Sequence, residues 1–252
     1  MYSYAANNAS IQLATRLNNI AVAMTENGNF KSAIPKLTEA LTASTDALQG
    51  FKRSRIQCFP EERVGMSRKP TSLDECMTTS SQHSQADEPD QVEQGEAHQY
   101  YVFRRCIPIP ISTETTVYFE SPMLIYVVII FNLALAHQLS AMECSCVSES
   151  DSLLLMSKAA QLYELAFNLQ QEDECMENNA LFSMATMNNL AVVYQSFNDS
   201  DNAKNCFQYL LSILVPFLGC DGEQISEFEG FFRNTAFHLV VFKDSSTIAA
   251  AA

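Results

Sequence analysis

The sequence predicts an all-α fold: a superhelix of about three helical hairpins with a C-terminal capping helix, interrupted by a disordered insert and a short β-like segment. Three observations carry that expectation. One helical phrase occurs twice, as LNNIAVAMTENGNFKSAIPKLTEAL over Leu17–Leu41 and as MNNLAVVYQSFNDSDNAKNCFQYLL over Met187–Leu211. A third run, Ile130, Leu133, Ala134 and His137, repeats the same i, i+3, i+4, i+7 spacing, which puts side chains on one helix face. Between the first and second copies lies a polar stretch too poor in aliphatic residues to form a core.

The first hairpin occupies residues 1–50. Leu17, Ile20, Ala21 and Met24 form the apolar face of its first helix, which ends where Gly28 can take the left-handed conformation. Phe30, Ala33, Ile34, Leu37, Ala40 and Leu41 form the face of its second. Two such helices cannot bury both faces alone, so the pair requires neighbours.

Residues 51–99 form the insert, acidic and rich in Ser, Thr and Gln, whose composition predicts disorder. The β-branched and aromatic content of YYVFRRCIPIPI, Tyr100–Ile111, and TTVYFE, Thr115–Glu120, predicts two short strands within 100–121. Pro108 and Pro110 confine the first to an edge or an extended loop.

Residues 122–242 hold two further hairpins and the capping helix. The second copy places Ala159, Tyr163 and Ala166 opposite the Ile130–His137 face and has a lengthened turn. The third carries Leu190, Ala191 and Tyr194, a break at Asn198-Asp199-Ser200, and then Ala203, Phe207 and Leu210. Pro216 and Gly219 close it. Ile225–Phe242 is the amphipathic cap, and 243–252 a frayed tail.

Lys and Arg total 15 against 29 Asp and Glu, a net charge of −14 that opposes a phosphate backbone and argues against nucleic acid as a partner. The eight cysteines form no Cys-x-x-Cys pair and several fall in apolar helical runs, which fits a reducing, intracellular, cytoplasmic setting. MYSYAANNASIQLATRL has neither the basic start nor the apolar core of an export signal. Met123–Ala136 is apolar but spans 14 residues and contains Asn132, whereas a membrane crossing takes about 20, so a core helix is expected rather than a span.

The pattern is similar to the tetratricopeptide repeat, a helix–turn–helix unit. Leu17, Ile20-Ala21, Met24, Gly28, Phe30, Ala33, Leu37 and Ala40 fall on that family's alternation of large and small residues. The third copy has Asn198 for the glycine and Leu210 for the last small residue. The second has His137 where an aromatic is usual. The Asn-Asn-[Ile/Leu]-Ala-Val run most resembles kinesin light chain style repeats. The order FNLALAHQLSA, YELAF, NNLA and GFFRN also resembles tetratricopeptide-like proteins of diatoms. The resemblance implies a concave groove lined by the first helix of each pair.

By helical phase, Asn18, Asn19, Val22 and Thr25 in the first copy, Asn132 and Leu135 in the second, and Asn188, Asn189, Val192 and Gln195 in the third face that groove. Asn19, Asn132 and Asn189 share one place. Such amides can either pair with the backbone of an extended peptide or satisfy helix ends within the stack. No Lys or Arg stands at these places, so the carboxylate-clamping role found in some family members is not carried over.

No phosphate-binding loop, nucleophile elbow or zinc-protease helix occurs, and Cys144 and Cys146 have no nearby histidine–cysteine set to complete a zinc site. No cofactor, metal or catalytic residue is expected. Ser72, Ser81 and Ser84 stand in contexts open to phosphorylation. The expected function is therefore a non-catalytic adaptor or scaffold that binds a peptide or helix of another protein. The alternatives are weak self-association of a basic front with an acidic remainder, or service as a regulatory subunit of an enzyme.

Overall fold

The structure, a computed structural model, describes residues 2–58, 100–110, 122–144, 148–172, 179–219 and 228–238. Its helices are α1 (Tyr2–Glu26), α2 (Phe30–Cys58), α3 (Pro122–Cys144), α4 (Glu149–Glu172), α5 (Ala180–Ser196) and α6 (Ser200–Leu214). A 3-10 turn, Val215–Gly219, follows α6 directly, and a final helix, α7, spans 228–238. The protein is all-α among the described residues. Residues 59–99 of the expected insert, with Ser72, Ser81 and Ser84, the expected strand at 115–120 and the tail at 243–252 lie outside them.

The chain divides into two compact units. The first contains α1 to α4 and residues 105–110. In it α1 pairs with α2 and α3 with α4, while α3 also packs on both α1 and α2. Repeat-like packing of neighbouring helices is thus the rule of this unit, and α2 runs on through Cys58, past the expected end of the hairpin at 50. The second unit contains residues 100–104, α5, α6, the 3-10 turn and α7. The three hairpins therefore divide as two in the first unit and one in the second.

The small residues of the pattern do what their size permits. Ala21, Ala33, Ala134, Ala159, Ala191 and Ala203 are all fully buried, so a larger side chain at any of them would cost about 1–3 kcal/mol in overpacking. Both hairpin turns of the quoted phrase are built alike. In the first, Gly28 N–H donates to Thr25 C=O at 3.0 Å and Asn29 N–H to Met24 C=O at 2.8 Å. In the other, Asn198 N–H donates to Gln195 C=O and Asp199 N–H to Tyr194 C=O, each at 3.0 Å. This double closure needs a left-handed residue, supplied by Gly28 at φ 73° and Asn198 at φ 57°. Asp199 then caps α6, its carboxylate accepting from Asn202 N–H at 3.2 Å.

α3 is the core helix of its unit. Its 23 residues agree with the buried core helix expected here, although by length and composition alone they could also cross a membrane. Of its most apolar window, 83% is buried within the protein. Phe131 meets Tyr163 of α4 edge to face at 5.7 Å, and Tyr163 Oη donates to Gln138 at 2.9 Å.

Candidate functional site

Residues 100–110 are extended and form no strand, so of the edge strand and the extended loop that the prolines left open the structure has the loop. Val102, Phe103, Cys106, Ile107 and Ile109 are buried, so their peptide groups need partners inside the protein. In an extended chain the N–H and C=O of one residue point the same way, and those of the next point oppositely. A primary amide carries one acceptor and two donors at the spacing needed to meet both groups of a single residue.

The first unit uses that match at alternate residues. Ile107 N–H donates to Asn132 Oδ1 at 2.8 Å, and Asn132 Nδ2 donates back to Ile107 C=O at 2.8 Å. Ile109 N–H donates to Asn19 Oδ1 at 2.8 Å, and Asn19 Nδ2 returns to Ile109 C=O at 2.7 Å. Asn18 ties the rungs together: its Nδ2 lies 3.2 Å from both Ile107 C=O and Asn19 Oδ1, and its Oδ1 accepts from Asn132 Nδ2 at 2.9 Å. Pro108 and Pro110 sit between and after the rungs, where a missing N–H costs nothing.

The second unit repeats the device. Phe103 exchanges bonds of 2.8 and 2.9 Å with Asn189 on α5, and Tyr101 bonds of 2.8 and 2.7 Å with Asn234 on α7. Asn188 takes the part of Asn18. Its Nδ2 donates to Tyr101 C=O at 3.0 Å and to Asn189 Oδ1 at 3.1 Å, while its Oδ1 accepts from Asn234 Nδ2 at 2.7 Å. The repeated Asn-Asn dipeptide thus has one explanation in both places: the second amide is a rung, and the first braces it to the next helix.

Neither a family model, a curated protein nor a solved structure matches this chain. What the site can do therefore rests on its own geometry. Rungs Asn19, Asn132, Asn189 and Asn234 hold backbone and ignore side chains. The side chains of the segment are sorted instead by packing. Tyr100 lies between Phe207 and Phe237, at 5.9 and 5.4 Å, and Phe231 stacks on Phe103 at 5.8 Å and meets Tyr101 edge-on at 5.6 Å. Gly230 is required beside Tyr101, because a Cβ there would overlap the Tyr101 ring.

Of the residues expected to line a groove, Asn18, Asn19, Asn132, Asn188 and Asn189 meet the extended segment. Val22 and Leu135 are buried, and Val192 and Gln195 half-buried. Thr25 Oγ1 donates to Ala21 C=O at 2.9 Å within its own helix, and its hydroxyl also bonds the Cys106 thiol. Burial pushes that thiol up to about 12; Thr25 opposes the shift and the charge of Glu26 adds to it, so Cys106 stays a neutral packing group.

Asn234 was missed because the cap was judged by its aromatic residues alone. A signal was present: each rung is followed two places later by alanine, as Asn19-Ile20-Ala21, Asn132-Leu133-Ala134, Asn189-Leu190-Ala191 and Asn234-Thr235-Ala236. His137 is buried, and desolvation, with Lys158 adding, holds its pKa at about 4. Among the described residues, no group of three His, Cys, Asp or Glu is placed to hold a metal ion.

Proposed function

We propose that this chain is a non-catalytic protein-interaction module, a tetratricopeptide-like adaptor whose asparagine rungs recognise extended polypeptide backbone. One observation carries the reading: within each unit two asparagine side chains each bond both the N–H and the C=O of one residue, at alternate positions of an extended stretch, Ile107 and Ile109 in the first and Tyr101 and Phe103 in the second. This is strand addition with side chains in place of a sheet edge, and it rewards extension and register over composition. In the structure the chain's own segment fills the rungs, so a partner must compete with it.

Selection of displayed random peptides on the full chain tests this reading. Peptides whose binding is lost with Asn19→Ala or Asn189→Ala, in variants still helical by circular dichroism, would support it. Failure to enrich any rung-dependent peptide would refute it.

A further inference from the structure

The wider reading leaves open what kind of peptide the rungs take. The first unit is specific enough to answer. Its two rungs meet Ile107 and Ile109, whose side chains are 1% and 4% exposed, while the intervening Pro108 is half-buried and Pro110 exposed. Rung positions therefore require two things: a free N–H for Asn132 or Asn19, and an apolar side chain that accepts burial. The off-rung prolines, Pro108 and Pro110, meet neither requirement, while Cys106 is buried without a rung.

Proline suits those off-rung positions for a further reason. It has no N–H to leave unsatisfied, its φ is already that of an extended chain, and it pushes the residue before it toward β or polyproline geometry. Ile107 and Ile109 each precede a proline, so the chain is extended before it binds and loses less entropy on docking. A proline on a rung has the opposite effect, since it removes the donor that the asparagine accepts. The bonded groups on the protein side, Asn18, Asn19 and Asn132, are uncharged, so a charged residue has no partner there.

We infer that the first unit is a recognition site for peptides of another protein in which aliphatic residues alternate with proline, with Cys106–Pro110 as a built-in competitor. This rests on the proposed peptide-binding role and assigns it a ligand class. The competitor is tethered, so its effective concentration is on the order of millimolar, and an outside peptide of equal intrinsic affinity binds the native chain weakly. Weakening the inner segment exposes the site.

The test is fluorescence anisotropy with a labelled synthetic peptide, RCIPIP, against three full-length proteins: wild type, Ile107→Ala/Ile109→Ala, and Ile107→Pro/Ile109→Pro. The alanine pair keeps both rung donors and loses apolar burial; the proline pair removes the donors. Either variant, if helical, should bind the peptide at least about tenfold more tightly than wild type does. A peptide with N-methyl groups on both isoleucines keeps the side chains and lacks the donors, and should not bind.

Equal binding of the methylated and unmethylated peptides would overturn the register rule, since the rungs would then not be the contact. Equal affinity of wild type and variants would overturn the competitor. Absence of RCIPIP binding to a helical alanine variant would overturn the ligand class. If displayed peptides of other composition still bind through Asn19 and Asn189, the wider reading survives that failure; if none do, both fall together.

Discussion

Asn132 holds Ile107 by both of its backbone polar groups, accepting its N–H and donating to its C=O, each at 2.8 Å, with Asn132 itself fully buried. The charge state of that one side chain should therefore control the first unit. Asn132→Asp keeps the shape and the acceptor but loses the donor to Ile107 C=O and Asn18 Oδ1, leaving a carboxylate facing two oxygens. At pH 7 the loss should be at least about 3 kcal/mol. The folded-state pKa of that aspartate lies above its unfolded value of about 3.9, so the penalty shrinks as pH falls through the folded pKa and the acid supplies a donor again. Thermal melts of variant and wild type at pH 7 and pH 5 should show the gap narrowing.

Proline substitution maps the register. Ile107→Pro removes a buried donor and an apolar side chain and should cost about 2–4 kcal/mol. Arg104→Pro falls at an exposed, off-rung place in an extended stretch and should stay within about 1 kcal/mol of wild type. Urea midpoints distinguish them, and equal losses would contradict the alternation.

The two matched turns differ in the residue that takes the left-handed conformation. Asn198→Gly should raise stability by about 0.5–1 kcal/mol, and Gly28→Ala should lower it by about 1–2 kcal/mol. The melting temperatures should move in opposite directions.

His137 is neutral in the folded protein down to about pH 4, against an ordinary value of 6.5. Between those values the unfolded chain binds a proton that the folded one refuses, so this group's stabilisation is complete above 6.5 and is lost as pH falls toward 4. The shift of 6.5 − 4 = 2.5 corresponds to a ceiling on the order of 3 kcal/mol. His137→Leu should flatten the fall in melting temperature across that window.

The helices were legible because their signal is local. Alanine and leucine at helical spacing identify a face in isolation, and the left-handed role of Gly28 follows from residue chemistry. The phase of the first helices also set Asn18, Asn19 and Asn132 in the first unit, and Asn188 and Asn189 in the second, off the core stripe, where each meets a backbone partner. That partner was not legible, because Asn19 and Ile109 lie 90 residues apart in sequence and an amide that meets backbone leaves no mark on the side chains it holds. The extended segment resembled a strand for the same reason: its apolar alternation is that of a strand, and only its bonding partners differ. Asn132 does not interrupt α3, because a buried amide with its bonds filled belongs to the core as fully as the leucines beside it.

The placement of the rungs in helices also affects how the protein ages. Asparagine side chains deamidate when the following backbone nitrogen can swing round to attack them, which is easiest before glycine in a loose turn. Asn19, Asn132, Asn189 and Asn234 are each followed by Ile20, Leu133, Leu190 or Thr235 within a helix, where that nitrogen is fixed and hindered. The exposed Asn27, next to Gly28 in the first turn, is the residue suited to that reaction. Slow chemical damage therefore falls on a surface turn, and the amides that read the backbone keep their donors.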